Sequence, residues 1–267
     1  MLSIVATPIG NLGDITLRAI ETLKTCDAIV CEDTRVTGNL LKQLGLSKKE
    51  LISFHSHTHL QKIEGILERL AKGQHIALVS DAGTPGISDP GYAIVSRIAQ
   101  PLCGTGWCGA QADTVWNGAI RSAGRCGSDS SDKRVLPRST ETKSNFHITT
   151  IPGPSAFLAA ISASGLPINQ FLYLGFLPIK KGRQTLLRSL PIEERTIVFY
   201  ESVHRIERTL NELAEAFSDQ PHRKVVIARE LTKLYEEIIR ATIADLPSVA
   251  SAIMKKGEFV VVVGPLH

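Results

Sequence analysis

The apolar run His75-Ile-Ala-Leu-Val-Ser80 passes directly into Asp81-Ala-Gly-Thr-Pro-Gly-Ile-Ser-Asp-Pro-Gly91, eleven residues with three glycines and two prolines. A strand ending in such a loop is costly to order unless the loop has a job. An ordinary strand-to-helix turn needs about two to six residues, so this length points to a ligand. Glycine lets backbone N–H groups approach a bound molecule, and proline keeps the loop rigid before it arrives. In open α/β sheets, ligands sit beyond the carboxyl ends of the strands, where this loop is expected.

The rest of the chain repeats the theme. Strands are expected at 2–6, 27–31, 75–80 and 146–151, then at 171–176, 196–201, 223–229, 234–243 and 258–263, alternating with helical patterns. Thr58 and Gln61 have capping-box spacing and Gly73 sits where a helix-ending glycine belongs. Asp89 and Pro90 read as cap and first residue of the next helix, and Gly165 ends a helix over Ala156–Ser164. The turn-rich Gly165-Leu-Pro-Ile-Asn-Gln170 is the expected domain boundary, giving domains 1–166 and 167–267. The two long β runs after it suggest an antiparallel hairpin. The fold class is therefore α/β, with a mostly parallel N-terminal sheet and a mixed C-terminal sheet.

Residues 101–144 break the pattern. They hold both tryptophans and three of five cysteines, Cys103, Cys108 and Cys126, without helical or strand periodicity. They read as an atypical insert leaving the surface between Gln100 and Asn145. Irregular thiol spacing with no histidine in the insert argues against a metal knuckle. An odd cysteine count argues against a disulfide framework and for a reducing cytoplasm. The N-terminus shows no export signal, and no apolar stretch approaches the roughly 20 residues of a membrane helix. The net charge of +4 is nearly balanced along the chain, so any nucleic-acid surface must be a folded patch.

Several further motifs stand in order: Thr7-Pro-Ile-Gly-Asn-Leu-Gly-Asp14, Glu32-Asp-Thr-Arg35, Pro152-Gly-Pro-Ser-Ala156, Phe176-Leu-Pro178, Phe199-Tyr-Glu-Ser202 and Ala228-Arg-Glu-Leu-Thr-Lys233. Together with the loop after Ser80, they make the chain similar to the ribosomal RNA small subunit methyltransferase I family of the tetrapyrrole methylase superfamily. The resemblance spans residues 2 to about 100 and 145 to about 263. It implies a two-domain fold holding S-adenosylmethionine in the cleft, and 2′-O-methylation of a cytidine ribose in the decoding region of small-subunit rRNA by a homodimer. Family members usually continue into a C-terminal helical region associated with RNA, whereas this sequence stops at His267.

From the superfamily, Pro8, Gly83, Thr84, Ile87, Ser155 and Ala156 are expected to line the cofactor, with Tyr200 closing the cleft. Asp81 either accepts from a donor on the ligand or ties down its own loop as an Asx turn. The turn at Thr7–Asp14 is not a dinucleotide fingerprint, because Pro8 replaces the first glycine. A ribose hydroxyl is a weak nucleophile, so the site must orient it and accept its proton or stabilise its alkoxide. Glu32 and Arg35 at a strand end are candidates for general base and phosphate clamp, with Thr34 as a helix cap. Lys233 is the candidate alkoxide partner and Arg229 a second phosphate grip. His55-Ser-His-Thr-His59 has metal-ligand spacing, but hydrogen bonding to RNA or to neighbouring groups is the preferred reading and no metal is expected. Two alternatives stay open: a precorrin-type C-methyltransferase on the same fold, and a homologue that binds the cofactor or RNA without catalysis.

Overall fold

Short β-branched runs alternating with amphipathic helices build a parallel sheet in the first half of the chain. The computed structural model describes residues 1–54, 60–89, 91–99 and 146–266. The first sheet holds β1 (Leu2–Val5), β2 (Ala28–Cys31), β3 (Glu50–Ser53), β4 (Ile76–Leu78) and β5 (Ile148–Ile151). Their order is β3-β2-β4-β1-β5 and every pair is parallel. The helices are α1 (Leu17–Thr25), α2 (Thr34–Gln43), α3 (Leu60–Ala71) and α4 (Gly91–Ala99). They cover both faces: Leu23 and Leu41 pack with Ile29 and Val79 on one side, Ile66 and Ile94 with Val30 and Leu78 on the other. Burial on two faces explains why the strands read as unbroken apolar runs.

The second sheet contains β6 (Phe171–Phe176), β7 (Thr196–Ser202), β8 (Lys224–Arg229), β9 (Glu237–Thr242) and β10 (Glu258–Val263), in the order β6-β7-β10-β8-β9. Only β6 and β7 run parallel, so this sheet is mixed as expected. Helix α5 (Ala156–Ser164) covers one face, where Phe157 and Ile161 meet Val198, Val226 and Val260. The other face is covered by α6 (Arg183–Ser189), α7 (Ile206–Ala216) and α8 (Leu246–Ala252). Successive residues of β7 therefore serve different layers: Tyr200 faces α5 and Glu201 faces the α6–α7 layer.

Glu201 belongs to a buried polar network. Arg183, 3% exposed, donates from Nε to Glu212 Oε2 at 2.7 Å, from Nη2 to Thr209 Oγ1 at 2.8 Å and from Nη1 to the Pro178 carbonyl at 3.2 Å. Thr209 donates to Glu201 Oε2 at 2.6 Å, and Arg205 pairs with Glu201 at 2.8 Å. Arg223 is likewise buried, spending its guanidinium on the carbonyls of Gly264, Pro191 and Glu193 and lying over the Phe217 ring.

Eight of the nine expected strands lie within two residues of their predicted starts; the other, expected from 234, begins at Glu237 because residues 230–236 form a turn. Strand β3 was missed. It is a four-residue edge strand opening on an exposed glutamate, which gives no alternation to read. Gly73 ends α3 as predicted, at φ +83° with Gly73 N donating to Leu70 O and Gln74 N to Arg69 O. Cys26 and Cys31 are buried core thiols, and burial pushes both pKa values up. The expectations about Thr58, Pro90, the His55–His59 run and the 101–144 insert lie outside the described residues. Among the described residues no helix is long and apolar enough to cross a membrane.

Candidate functional site

Because all five strands of the first sheet run the same way, their following loops gather at one edge. The loops after β1, β4 and β5 are joined directly. Thr7 and Gly83 exchange backbone hydrogen bonds at 2.9 and 3.1 Å, and Thr84 Oγ1 donates to the Pro154 carbonyl at 3.0 Å. Gly83 has φ +85°, and a Cβ there would lie 3.4 Å from Ile9 Cγ2, so this crossing is made for glycine. The loop after β2 is tied in by Asp81, whose Oδ1 accepts from Asp33 N at 3.0 Å. Asp81 thus bonds across to a neighbouring loop. Asp89 closes the β4 loop on itself, accepting from Gly86 N and Gly91 N.

Tyr200 reaches this assembly from the second sheet. Its hydroxyl accepts from Phe157 N at 3.2 Å, at the first turn of α5. Burial, with Tyr173 alongside, pushes the Tyr200 pKa up to about 12, so the phenol stays protonated. Tyr173 stacks on Phe157 and hydrogen-bonds Ser88 at 2.5 Å, a second link between the sheets that the sequence did not suggest. Ile87 and Ala156 pack in the same cluster. Pro8 is half-buried between Thr7 and Ile9, the latter a member of that cluster. Ser155 precedes α5 but makes no capping bond; its Oγ is buried with no hydrogen-bond partner among the described residues.

The charged candidates fall into two groups. Glu32 and Asp33 follow β2. Surrounding protein and the nearby carboxylates of Asp81, Asp89 and Asp33 raise the Glu32 pKa, although its side chain reaches solvent. The cap of α2 is Asp33 and not Thr34: Asp33 Oδ1 accepts from Arg35 N at 2.8 Å, because a carboxylate one residue earlier reaches the free N–H groups. Arg35 also grips Asp33 through Nε and Nη2, the latter at 2.6 Å, and holds its carboxyl down to about 2. The Arg35 side chain is otherwise exposed, at the rim.

Lys233 belongs to the other group, in the turn between β8 and β9. Its Nζ donates to Glu230 Oε1 at 2.8 Å and Glu258 Oε2 at 3.0 Å. Burial opposes its charge, but the two carboxylates outweigh that and raise its pKa. No hydrogen bond or ion pair joins Lys233 to Glu32 or Arg35 among the described residues; it packs on Gly10 instead. Arg229, expected to grip a phosphate, is 6% exposed and paired with Glu237 at 2.9 Å, so its guanidinium is withdrawn from the surface. Among the described residues no three His, Cys, Asp or Glu side chains are placed to hold a metal ion.

Comparison with known proteins bears on this arrangement. The family described as Tetrapyrrole (Corrin/Porphyrin) Methylases matches residues 1–102 and 130–247. The Ribosomal RNA small subunit methyltransferase I of Escherichia coli O157:H7 is 41% identical over 265 residues, 98% of this chain and 77% of that protein. The protein of the same name from Thermotoga maritima is 38% identical over 98% of this chain and 96% of its own length. Among solved structures, a uroporphyrin-III C-methyl transferase from Thermus thermophilus complexed with S-adenyl homocysteine shares the fold. Its TM-score is 0.57 at 14% identity, covering 98% of this chain and 96% of that one. With its motifs in family order, its two sheets in the superfamily's architecture and near-complete alignment to such relatives, the chain belongs to the ribosomal RNA small subunit methyltransferase I family.

Proposed function

We propose that the chain transfers a methyl group from S-adenosylmethionine to the 2′-hydroxyl of a cytidine ribose in small-subunit rRNA. The observation carrying this reading is the joining of the loops after β1, β4 and β5 under Tyr200, in a member of this family. The residues present suit the cofactor. Ser155 Oγ is buried and unpartnered, Gly83 keeps the loop crossing open to close approach, and Ile87, Ala156 and Tyr200 offer an apolar wall. Pro8, Asp81 and Thr84 complete the set that would hold it: Pro8 as a rigid border, Asp81 and Thr84 by fixing the loops. When bound, the sulfonium supplies an electrophilic methyl carbon.

The protein's part is then orientation and proton removal. Glu32, made more basic by burial and by three neighbouring carboxylates, is read as the acceptor of the ribose hydroxyl proton. Arg35, bound on one edge to Asp33 and otherwise exposed, is read as the clamp on an RNA phosphate. Lys233, saturated by two carboxylates, is read as part of the loop framework; its earlier assignment to the alkoxide has less geometric support. Residues 1–166 and 167–267 are proposed as the two domains, with α5 docking the first onto the second sheet. The protein is proposed to act as a cytoplasmic homodimer on the small ribosomal subunit.

The two alternatives are separated by one experiment. Purified protein and labelled S-adenosylmethionine are combined with small subunits lacking the modification or, in parallel, with a reduced tetrapyrrole acceptor; label transfer is followed in both, and ribose methylation is mapped on the rRNA. A single new 2′-O-methylcytidine is expected. Cofactor binding without transfer to rRNA would favour a homologue that only binds, and transfer to a tetrapyrrole alone would favour the C-methyltransferase.

A further inference from the structure

Among the described residues only Glu230 and Thr232 adopt positive φ without being glycine, at +51° and +65°. For a β-branched threonine this is a real outlier, since its Cβ substituents crowd the backbone there. Such a conformation persists only where the surroundings over-determine it. Here they do. Glu230 N donates to Glu258 O at 3.0 Å and Glu258 N returns a bond to Glu230 Oε1 at 3.1 Å. Lys233 Nζ bridges both carboxylates, Lys233 N donates to Glu230 O, and Thr232 N donates to Glu236 Oε2 at 2.6 Å.

The turn bears directly on the loop after β1. Thr232 Oγ1 accepts from Asn11 N at 3.2 Å. A Cβ on Gly10 would lie 2.4 Å from Lys233 Cγ, 2.9 Å from Thr232 Oγ1 and 3.2 Å from Leu231 O, so the two loops are pressed together. Leu231 is buried in the same cluster as Ile9. On its other side, the first loop is fixed by the Thr7–Gly83 backbone pair. Pro8 and Ile9 therefore hang between two fixed points, one in each half of the molecule.

We propose that Thr232 is a positioning residue for the cofactor site, holding the Thr7–Asp14 loop in place from the second sheet through a strained backbone. The inference rests on the reading of the cleft as the S-adenosylmethionine site. Its basis is mechanical: a relaxed residue 232 would carry the hydroxyl off Asn11 and release the loop that carries Pro8.

The test separates strain from simple stability. Thr232→Gly relieves the φ and removes the hydroxyl, whereas Thr232→Ser keeps the hydroxyl. Melting temperature is followed by circular dichroism and S-adenosylmethionine affinity by calorimetry at 25 °C. Expected for Thr232→Gly is a melting temperature equal to or above wild type, with affinity weakened about threefold to tenfold, the loss of one hydrogen bond. KM for the cofactor rises in step while KM for rRNA holds. Thr232→Ser stays within about twofold of wild type. Wild-type affinity in Thr232→Gly, or a serine variant as weak as the glycine one, overturns the proposal. So does a glycine variant that melts markedly lower, since that marks an ordinary structural turn. Failure of wild-type protein to bind the cofactor would instead remove the cleft reading.

Discussion

Arg183 is where the structure makes its most quantitative demand outside the cleft. Arg183→Met keeps most of the volume and the apolar stem but deletes three hydrogen bonds inside the second domain's helical layer. Breaking a buried ion pair from one side costs about 3–5 kcal/mol, because the remaining charge is left uncompensated. Here Glu201 keeps Arg205 at 2.8 Å and Glu212 keeps Arg208 at 2.9 Å, which places the change near the lower end, about 3 kcal/mol. At about 2–4 °C per kcal/mol for a chain of this size, the melting temperature should fall by about 6–12 °C. Urea and thermal melts followed by circular dichroism read that shift. Adding Glu201→Gln should not restore it, because that carboxylate is still compensated by Arg205 and its loss would leave Arg205 unpaired. Cofactor affinity should hold, because Glu201 and Tyr200 face opposite sides of β7. A fall of less than about 2 °C would mean that the network contributes little and that the burial argument is wrong here.

Thr84→Arg should abolish cofactor binding in calorimetry, because Thr84 sits half-buried at the crossing of two loops with its hydroxyl on Pro154; retained affinity would put the cofactor elsewhere. Arg35→Ala should lower methyl transfer to rRNA about a hundredfold while leaving cofactor affinity intact. Wild-type turnover in that variant would reduce Arg35 to an exposed partner of Asp33. The Glu32 carboxyl titrates above its ordinary range, so a base of this kind loses activity as pH falls through that raised value. Asp81→Asn keeps an acceptor for Asp33 N but removes one of the charges raising Glu32, so the acid limb of the pH–rate profile should move to lower pH. A limb that stays put would uncouple Glu32 from the rate.

The layers were legible because buried strands advertise themselves. Phe259-Val-Val-Val-Val263 is apolar throughout because β10 is central and covered on both faces. The Gly- and Pro-rich loops after β1, β4 and β5 were equally visible, since special backbone geometry needs special residues. What escaped has the opposite character. Thr232 is left-handed without being glycine, so nothing in its identity marks the turn. Arg229 looked like a surface cation because it ends an apolar strand, yet the Glu237 partner eight residues on allows it to be buried. Arg35 is gripped by a residue two positions earlier, a local pairing that charge counting takes for a free guanidinium.

The strand order carries a consequence for how the molecule is made. β1 lies between β4 and β5, and its register with β5 pairs Leu2 with Ile148. As the chain leaves the ribosome, β1 to β4 can assemble among themselves, but one side of β1 then waits for a partner far downstream. Until Ile148–Ile151 emerge, the N-terminal strand presents open backbone N–H and C=O groups, the template on which misplaced strands pair. At ribosomal rates of about 5–20 residues per second, that interval lasts several seconds. The nascent protein is thus most open to misassembly between the synthesis of its fourth and fifth strands, and a chaperone or neighbouring nascent chain would meet it there.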